Sequence, residues 1–499
     1  MTDISSVAPG NSVATDVLTV AQRLVDNAPD ESSRHDAQAI IERLRGPLRI
    51  AIAGRVKAGK STLLNALVGE RLAPTDAGEC TRLVTVYRRG PAYDVSAKML
   101  DGSTRPLTFQ RNNGALTIDL GGAKEAEIDH LDVAWPSSSL ATITLIDTPG
   151  LESINDENSR RTREFLEADA DGSGDADAVI YLMRHAHRSD IAFLDAFMDR
   201  SVTAPSPVNA VAVLSRSDEI GAGRLDAMRS AARIAERYGA DPQLRSLCAA
   251  IVPMAGLIAE TGLTLREDEA ATLRTLAATD PDVLERMLMS ADQFCDSATS
   301  DLTVEWRREL LDRLGLFGVR FVIDAIRSGR ATTASQLGAE LVDESGLNGL
   351  RTLFREHFAP RAQVLQARSA LLALRALIRR LPASAFALAA DLDRELERIE
   401  SSTTQFARIR ALHLIGSGLV TFAGPETDEL RTLFAAAGPA AALGLDPAAS
   451  ADETSRSALQ AITRWRTRSA DPLADPSMVE VCETAVRCFE SIYASTTSV

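Results

Sequence analysis

The stretch Gly54-Arg55-Val56-Lys57-Ala58-Gly59-Lys60-Ser61 follows the pattern G-x-x-x-x-G-K-[ST], which is typical of loops that cradle nucleotide phosphates. Its flanks have the order that this motif requires. Residues 48–53 predict a strand, and the run that begins at Thr62 predicts a helix. Backbone N–H groups of such a loop, together with the helix N-terminus, attract phosphate oxygens. We therefore expect Lys60 to contact the β- and γ-phosphates and Ser61 to bind Mg²⁺.

An alternation of strands and helices continues from residue 48 to about residue 255. The predicted strands are apolar over nearly their whole length, as strands buried on both faces of a sheet are. The expected fold class of this region is therefore α/β, with a mostly parallel, doubly wound sheet. The strands predicted from the sequence are residues 48–53, 83–87, 93–99, 140–146, 178–183, 210–214 and 250–253.

Helical patterns occupy the rest of the chain. Residues 12–45 predict two helices with a break at residues 27–30, and the sequence after residue 256 is rich in Ala, Leu and Arg at helical spacing. We expect N-terminal neck helices in residues 1–47, the α/β head in 48–255 and an elongated all-α neck and stalk in 256–499. The helices predicted in the last region are residues 282–327, 346–358, 362–380, 383–410, 454–467 and 477–493.

Composition and charge narrow the classes of partner. A net charge of −15 argues against non-specific binding of nucleic acid, so no such partner is expected. The five cysteines are scattered without a C-x-x-C pair, which argues against a zinc site and a disulfide framework. The N-terminus lacks a secretory pattern, and the late uncharged runs are shorter than the roughly 18 residues of a spanning helix. We expect a cytoplasmic protein that is soluble or peripheral to a membrane.

Two sequence features predict ligands for a magnesium ion. The turn Asp147-Thr148-Pro149-Gly150 directly follows a predicted buried strand. A carboxylate at this place can hold the water shell of Mg²⁺, and the N–H of Gly150 can donate to the γ-phosphate. Thr81 lies in a polar loop after the first helix of the head, where its hydroxyl can complete the metal ligands once a triphosphate is bound. The alternatives are an ordinary turn for the first feature and an ordinary loop threonine for the second.

The run Ser215-Arg216-Ser217-Asp218 follows the strand predicted at residues 210–214. It occupies the place of a guanine-reading motif, which usually reads Asn/Thr-Lys-x-Asp. Asp218 would accept hydrogen bonds from both guanine N–H groups, and Arg216 would stack on the ring with Ser215 beside it. The alternative is that Asp218 only caps the next helix. Taken with the phosphate loop and the magnesium ligands, this run predicts that the nucleotide is GTP or GDP.

In order and spacing, these motifs resemble those of the dynamin-like GTPase superfamily, in particular the bacterial isoniazid-inducible dynamin-like proteins. The resemblance implies hydrolysis of GTP to GDP and phosphate by a head on a helical neck and stalk. It also implies peripheral contact with lipid at the inner face of the plasma membrane, and a role in membrane remodelling or maintenance under drug stress. The heads would pair as a homodimer or with a paralogous dynamin-like chain. The resemblance rests on residues 54–65, 78–82, 147–151 and 214–219.

The sequence departs from related patterns at three places. Dynamins usually place Gln-Ser where this chain has Val56-Lys57, and that serine helps to bind a monovalent cation. We hypothesise that Lys57 itself supplies the positive charge, as an arginine finger does in other GTPases, and the alternative is a solvated lysine. Ser215-Arg216 leaves the strictness of guanine selection open. Leu151 stands where small GTPases have a glutamine, so catalysis cannot depend on that side chain.

Residues 411–445 are the candidate for a membrane-contacting tip. They combine large apolar residues with the helix-breaking pair Gly438-Pro439, which suits a loop that dips into lipid without spanning it. The alternative is that these residues form helices buried in the stalk. Two other functions also stay open at this point. One is a nucleotide-gated structural partner of a paralogous chain with little hydrolysis of its own, and the other is a soluble GTPase that acts on no membrane.

Overall fold

The structure is a computed structural model of the 499-residue chain. It describes residues 13–73, 83–112, 115–150, 176–197, 209–245, 247–296, 302–402, 404–416, 418–435, 438–446 and 448–497.

Strands of the described residues form a nine-stranded sheet and a separate two-stranded hairpin. The sheet order is β11-β10-β9-β1-β8-β2-β7-β3-β4, and the hairpin consists of β5 and β6. In chain order the strands are β1 (Leu48–Gly54), β2 (Val84–Arg89), β3 (Asp94–Met99), β4 (Thr104–Pro106), β5 (Thr108–Asn112), β6 (Ala115–Asp119), β7 (Ile128–Trp135), β8 (Ile143–Asp147), β9 (Ala178–Met183), β10 (Ala210–Leu214) and β11 (Ile251–Pro253).

The centre of the sheet is parallel, which confirms the predicted fold class. Strand β1 lies between β8 and β9 and runs parallel to both, and β9, β10 and β11 continue in the same direction. Antiparallel pairs join β2 to β8, β3 to β7 and β3 to β4. Because parallel strands end at the same edge, the segments that follow β1, β8 and β10 meet there. The phosphate loop, the Asp147 turn and the Ser215 run therefore come together.

The region between residues 100 and 140 differs from the prediction. Strands β4 to β7 lie there, although only residues 93–99 and 140–146 were predicted as strands in this part of the chain. Strand β7 escapes a search for apolar runs because it carries His130 and Asp132 between its buried residues. Strand β8 begins at Ile143, later than predicted, because Ser138–Leu140 forms a turn of 3₁₀-helix.

The two helices predicted in residues 12–45 are confirmed. They are α1 (Val13–Asp26) and α2 (Glu31–Arg45), and the side chain of Asp30 caps the second by accepting from Ser33 N at 2.7 Å. Their apolar faces pack against two later helices, Ala362–Arg380 and Phe386–Ser402, in one hydrophobic cluster. Helices that precede and follow the head in the sequence thus share one hydrophobic core. This packing stabilises them, since each helix alone would be only marginally stable in water.

The remaining helices follow the strands or extend beyond them. None of the helices in the described part of the chain combines the length and apolar character needed to cross a bilayer. In chain order the helices after α2 are α3 (Lys60–Val68), α4 (Arg188–Phe197), α5 (Ala227–Ala240), α6 (Pro242–Arg245), α7 (Gly256–Thr264), α8 (Glu267–Ala277), α9 (Pro281–Met287), α10 (Ala291–Asp296), α11 (Val304–Arg327), α12 (Ala334–Glu344), α13 (Leu347–Leu353), α14 (Ala362–Arg380), α15 (Phe386–Ser402), α16 (Thr404–Gly416), α17 (Gly424–Ala435), α18 (Pro439–Ala442), α19 (Ala451–Ser469) and α20 (Pro476–Thr497).

The hydrophobic core of the sheet extends past residue 255. Ala259 of α7 and Leu347 and Leu350 of α13 belong to the same buried cluster as the phosphate-loop helix α3. Helix α7 in turn packs closely on α12. A methyl group added at Gly262 would lie only 2.7 Å from the carbonyl oxygen of Gly338, so the two helices leave no room for a side chain there. The first helices after the strands therefore support the nucleotide edge directly.

The candidate tip, residues 411–445, packs mostly inward. Leu414, Leu430 and Phe434 are buried in a cluster with α19 and α20, and Phe422 meets Trp465 edge to face at a centroid distance of 5.5 Å. Leu419 is 41% exposed, in the loop that follows α16. This packing agrees with the alternative of helices buried in the stalk, and among the described residues of this range Leu419 is an exposed large apolar side chain.

Candidate nucleotide-binding site

The phosphate loop turns sharply between β1 and α3. Gly54 has φ +149°, and a methyl group added there would lie 2.5 Å from the carbonyl oxygen of Leu182 on the neighbouring strand. Gly59, which precedes α3, has φ +95°. Both glycines are therefore required by the backbone, since other residues rarely adopt these conformations. Lys57 is left-handed as well, with φ +61°, and its side chain is exposed.

Lys60 lies where the loop closes on itself. Its Nζ atom donates to the carbonyl oxygens of Gly54 at 3.3 Å and Arg55 at 3.4 Å. Burial lowers the pKa of Lys60, and the Asp147 carboxylate opposes that shift. These carbonyl contacts keep the ammonium group inside the loop. The charge is therefore already oriented where phosphate oxygens would arrive.

Ser61 and Asp147 form a pair of oxygen ligands at the start of α3. The Ser61 hydroxyl donates to Asp147 Oδ2 at 3.1 Å, whereas Asp147 Oδ1 is buried with no hydrogen-bond partner among the described residues. Burial raises the pKa of Asp147 to about 6, against the opposing effects of Lys60 and Ser61. A hydroxyl beside a carboxylate with a spare oxygen fits Mg²⁺, which prefers oxygen ligands and retains water. Thr81, the third predicted metal ligand, lies outside the described residues.

The turn after β8 contacts the phosphate loop. Thr148 is held to β1 through its hydroxyl, which donates to the carbonyl oxygen of Ile52 at 3.0 Å. Gly150 lies directly against Val56, so that a methyl group added at Gly150 would overlap the valine side chain. The two loops that are predicted to face the γ-phosphate therefore touch, and a larger residue at position 150 would push them apart. Leu151 lies outside the described residues.

The Ser215 run is held by β10 and β11. The Ser217 hydroxyl donates to Leu214 O at 2.8 Å and accepts from Met254 N at 3.2 Å. Asp218 is buried beside this anchor, and burial raises its pKa to about 6, with Glu219 adding to the shift and Arg216 and Arg184 opposing it.

Arg216 has φ +51° and forms an ion pair with Glu219 at 2.7 Å. Its guanidinium is therefore tethered at the rim, beside the place where it was expected to stack on a base. A cavity of about 130 Å³ joins the Ser215 run to the phosphate loop. Its walls include Gly59, Thr62, Ser215, Arg216, Asp218 and Leu257.

A buried polar cluster that the sequence analysis missed lies behind α3. Asn65 Oδ1 accepts the N–H groups of Leu72 at 2.8 Å and Ala73 at 2.7 Å, and its Nδ2 donates to Glu260 at 3.2 Å. Glu260 is 2% exposed and pairs with Arg71 at 2.5 Å. A polar asparagine within the apolar run of α3 could have indicated a buried polar cluster from the sequence. The sequence around Glu260 has no feature that sets it apart from a surface glutamate.

Comparison with known proteins agrees with this geometry. A model of the dynamin family matches residues 50–200. Over 458 residues the chain is 40% identical to the Isoniazid-induced protein IniC of Mycobacterium tuberculosis, with 91% of each chain covered. The chain belongs to the dynamin family of GTPases. This dynamin-family chain is therefore a GTP hydrolase, and the predicted resemblance to dynamin-like GTPases is confirmed.

Two further matches are more limited. A bacterial dynamin-like protein of Nostoc punctiforme is 39% identical over 127 residues, which cover 23% of this dynamin-family chain and 18% of that protein. A solved structure described as an oligomerised bacterial dynamin pair, with a mechanism for long-range sensing and tethering of membranes, matches at 13% identity. That match covers 98% of this chain and 75% of the other, with a TM-score of 0.30.

Proposed function

We propose that this GTPase hydrolyses GTP to GDP and phosphate with Mg²⁺ and uses the cycle to bind and remodel or maintain a membrane. The proposed binding and hydrolysis of GTP is supported by the residues that meet at one edge of the sheet. Residues of the phosphate loop and the buried carboxylate of Asp218 line one cavity there, and the Ser61–Asp147 pair lies at the start of the adjoining helix α3. The membrane part is supported by membership of the dynamin family.

Each end of the nucleotide has its own set of residues in this proposal. When bound, Mg²⁺ would neutralise charge on the β- and γ-phosphates. Ser61, Asp147 and Thr81 would hold it, and Ser215, Arg216 and Asp218 would contact the base. The phosphates would be enclosed by Gly54, Arg55, Val56, Lys57, Ala58, Gly59, Lys60, Ser61 and Thr62, with Gly150 facing the γ-phosphate.

Lys57 is proposed to offset the charge that develops in the transition state. The support is its position: it is exposed on the loop, in a left-handed conformation, and its pattern position replaces the serine of other dynamins. Turnover at saturating GTP should fall about 100-fold or more in Lys57→Ala, and Lys57→Arg should recover most of it. Wild-type turnover should be equal in K⁺ and Na⁺ buffers. A requirement for K⁺ in the wild type would rule out this role.

The proposed membrane contact is peripheral, at the inner face of the plasma membrane. One relative is named for induction by isoniazid, and we propose that the present chain likewise acts under drug stress. Leu419 is a large apolar residue of the candidate tip that is 41% exposed, whereas Phe422 packs on Trp465. Liposome flotation of Leu419→Asp should therefore show reduced binding with unchanged thermal stability. Leu459→Asp, which alters a residue that is 50% exposed on α19, serves as the matched control.

One experiment separates the proposed function from its alternatives. GTP and ATP turnover would be measured across a range of protein concentrations, with and without liposomes. The proposal expects turnover of GTP that rises steeply with concentration, as head-to-head homodimers form, and responds to liposomes. Negligible turnover that appears only with a paralogous dynamin-like chain would favour the nucleotide-gated partner. Turnover that is indifferent to liposomes, together with no flotation, would favour a GTPase that acts on no membrane.

A further inference from the structure

Helix α11 is broken next to the base-reading carboxylate. Gly315, inside the range Val304–Arg327, has φ +62° and ψ 176°, a combination that is essentially restricted to glycine. A methyl group added at Gly315 would lie 3.6 Å from Asp218 Oδ2 and 3.7 Å from Leu257 Cδ2. Since Asp218 and Leu257 both line the nucleotide cavity, the break forms the outer support of its base end.

The second half of α11 also holds the loop that follows Asp218. Arg320 Nη1 donates to the carbonyl oxygens of Ala222 at 2.8 Å and Gly223 at 2.5 Å. The loop itself is a run of left-handed residues, with φ +64° at Gly221, +59° at Ala222 and +68° at Gly223. Such a backbone has little regular hydrogen bonding of its own, so the external contact from Arg320 fixes its path.

Residues at the break and just past it lie close against the base end of the cavity. A methyl group added at Gly223 would lie 3.1 Å from the backbone nitrogen of Phe317, just past the break. A continuous helix through residue 315 would shift one half relative to the other. Because Arg320 and Gly315 lie on either side of Phe317, straightening α11 would disturb both the Asp218 side chain and its loop.

We propose that Gly315 is a specificity-determining position for the nucleotide base. It acts through Asp218: the break in α11 holds the carboxylate where it can accept both N–H groups of guanine. This inference rests on the proposed function, in which Asp218 reads the base. The phosphate loop lies at the other end of the cavity, so phosphate binding is expected to be independent of Gly315.

The test compares GDP with IDP, which lacks the exocyclic amino group of guanine. Wild-type protein should bind GDP about tenfold or more tightly than IDP, because one hydrogen bond to a charged acceptor is lost. In Gly315→Ala that ratio should fall towards one, because GDP loses two hydrogen bonds to Asp218 whereas IDP, which keeps only the ring N–H, loses one. Gly329→Ala is the matched control: Gly329 has φ +72° at the end of the same helix, and an added methyl group meets no atom within 4 Å.

Each outcome separates the inference from the function on which it rests. A wild type that binds GDP and IDP equally would overturn guanine reading by Asp218, and with it this inference. A wild type that discriminates, together with a folded Gly315→Ala variant that keeps the ratio, would overturn the inference only. Equal weakening of GDP and IDP would indicate a merely structural role and would also overturn it. If Gly315→Ala does not fold, Arg320→Ala decides: the ratio should fall, and an unchanged ratio is the contrary result.

Discussion

The two ends of the nucleotide cavity are built in different ways. The phosphate end consists of short segments that directly follow β1 and β8, and its main contacts, such as Ser61 with Asp147, lie within the head motifs. The base end needs support from helices that come much later in the chain, because Asp218 is backed by Leu257 and Gly315. Local sequence therefore specifies the charged groups at the phosphate end, whereas the placement of Asp218 depends on long-range packing. Four experiments test this contrast.

The largest effect is expected at the phosphate end. Lys60→Ala removes the ammonium group that the loop holds against Gly54 and Arg55, so the affinity for GDP should fall about 100-fold or more. Fluorescence titration with a labelled GDP measures the loss. Lys124→Ala, which removes an exposed lysine, is the control and should bind as the wild type does. Comparable binding by the Lys60→Ala variant would contradict the loop's role.

Asp147→Asn should uncouple activity from stability. Turnover with Mg²⁺ should fall about 100-fold, because a neutral amide is a poorer metal ligand. Without Mg²⁺ at pH 7, the free energy of unfolding should rise by about 1–3 kcal/mol, since the variant no longer buries an ionised carboxylate.

The sign of that stability change follows from the raised pKa of Asp147, about 6, which exceeds the value of the unfolded chain. Its destabilising effect in the wild type is complete above pH 6 and disappears as the pH falls below the ordinary carboxyl range. Urea unfolding of both proteins at pH 7 and pH 4 measures it. A variant that is less stable than the wild type at pH 7 would show that the Lys60 attraction outweighs burial.

The buried cluster at Glu260 tests whether long-range support also reaches the phosphate end. Glu260→Ala leaves Arg71 and Asn65 without their shared acceptor, so the free energy of unfolding should fall by about 3 kcal/mol. Glu260→Gln keeps an acceptor and should lose about half as much. Urea denaturation gives both values. In Glu260→Gln, turnover should fall by a larger factor than GDP affinity, because Asn65 holds the backbone that leads towards Thr81. A larger loss of GDP affinity than of turnover would contradict this explanation.

The smallest effect concerns pH at the base end. Burial raises the pKa of Asp218 to about 6, so the carboxylate that we propose accepts the guanine N–H groups becomes protonated as the pH falls through that value. The preference for GDP over IDP should therefore decline several-fold between pH 7.5 and pH 5.5, on the order of tenfold at most. The ratio of two Kd values cancels titration of the phosphates, which both nucleotides share. A constant ratio would mean that Asp218 remains ionised or does not read the base.

Much of the fold could be predicted because strong periodicity and glycine-rich turns are local signals. The parallel core and both N-terminal helices are confirmed, whereas strand β7 was missed because His130 and Asp132 interrupt its apolar pattern. Among the site residues, Lys60, Ser61 and Asp147 lie together as their motifs indicate, and their chemical roles stay predictions. Glu260 and Gly315 could not be found, since a single glutamate or glycine in a helical sequence has no distinctive spacing.

The amino-acid sequence alone was enough to predict the phosphate loop, the Asp147 turn, the Ser215 run and a mostly parallel sheet in which the three share one edge. These follow from spacing, because parallel strands end on the same side of a sheet. What supports the site and what the helices bury became visible only in the folded structure. It placed Glu260 behind α3, put the broken helix at Gly315 behind Asp218 and turned most of the candidate tip inward. Such placements depend on which faces pack together, and that is settled by burial across the whole chain.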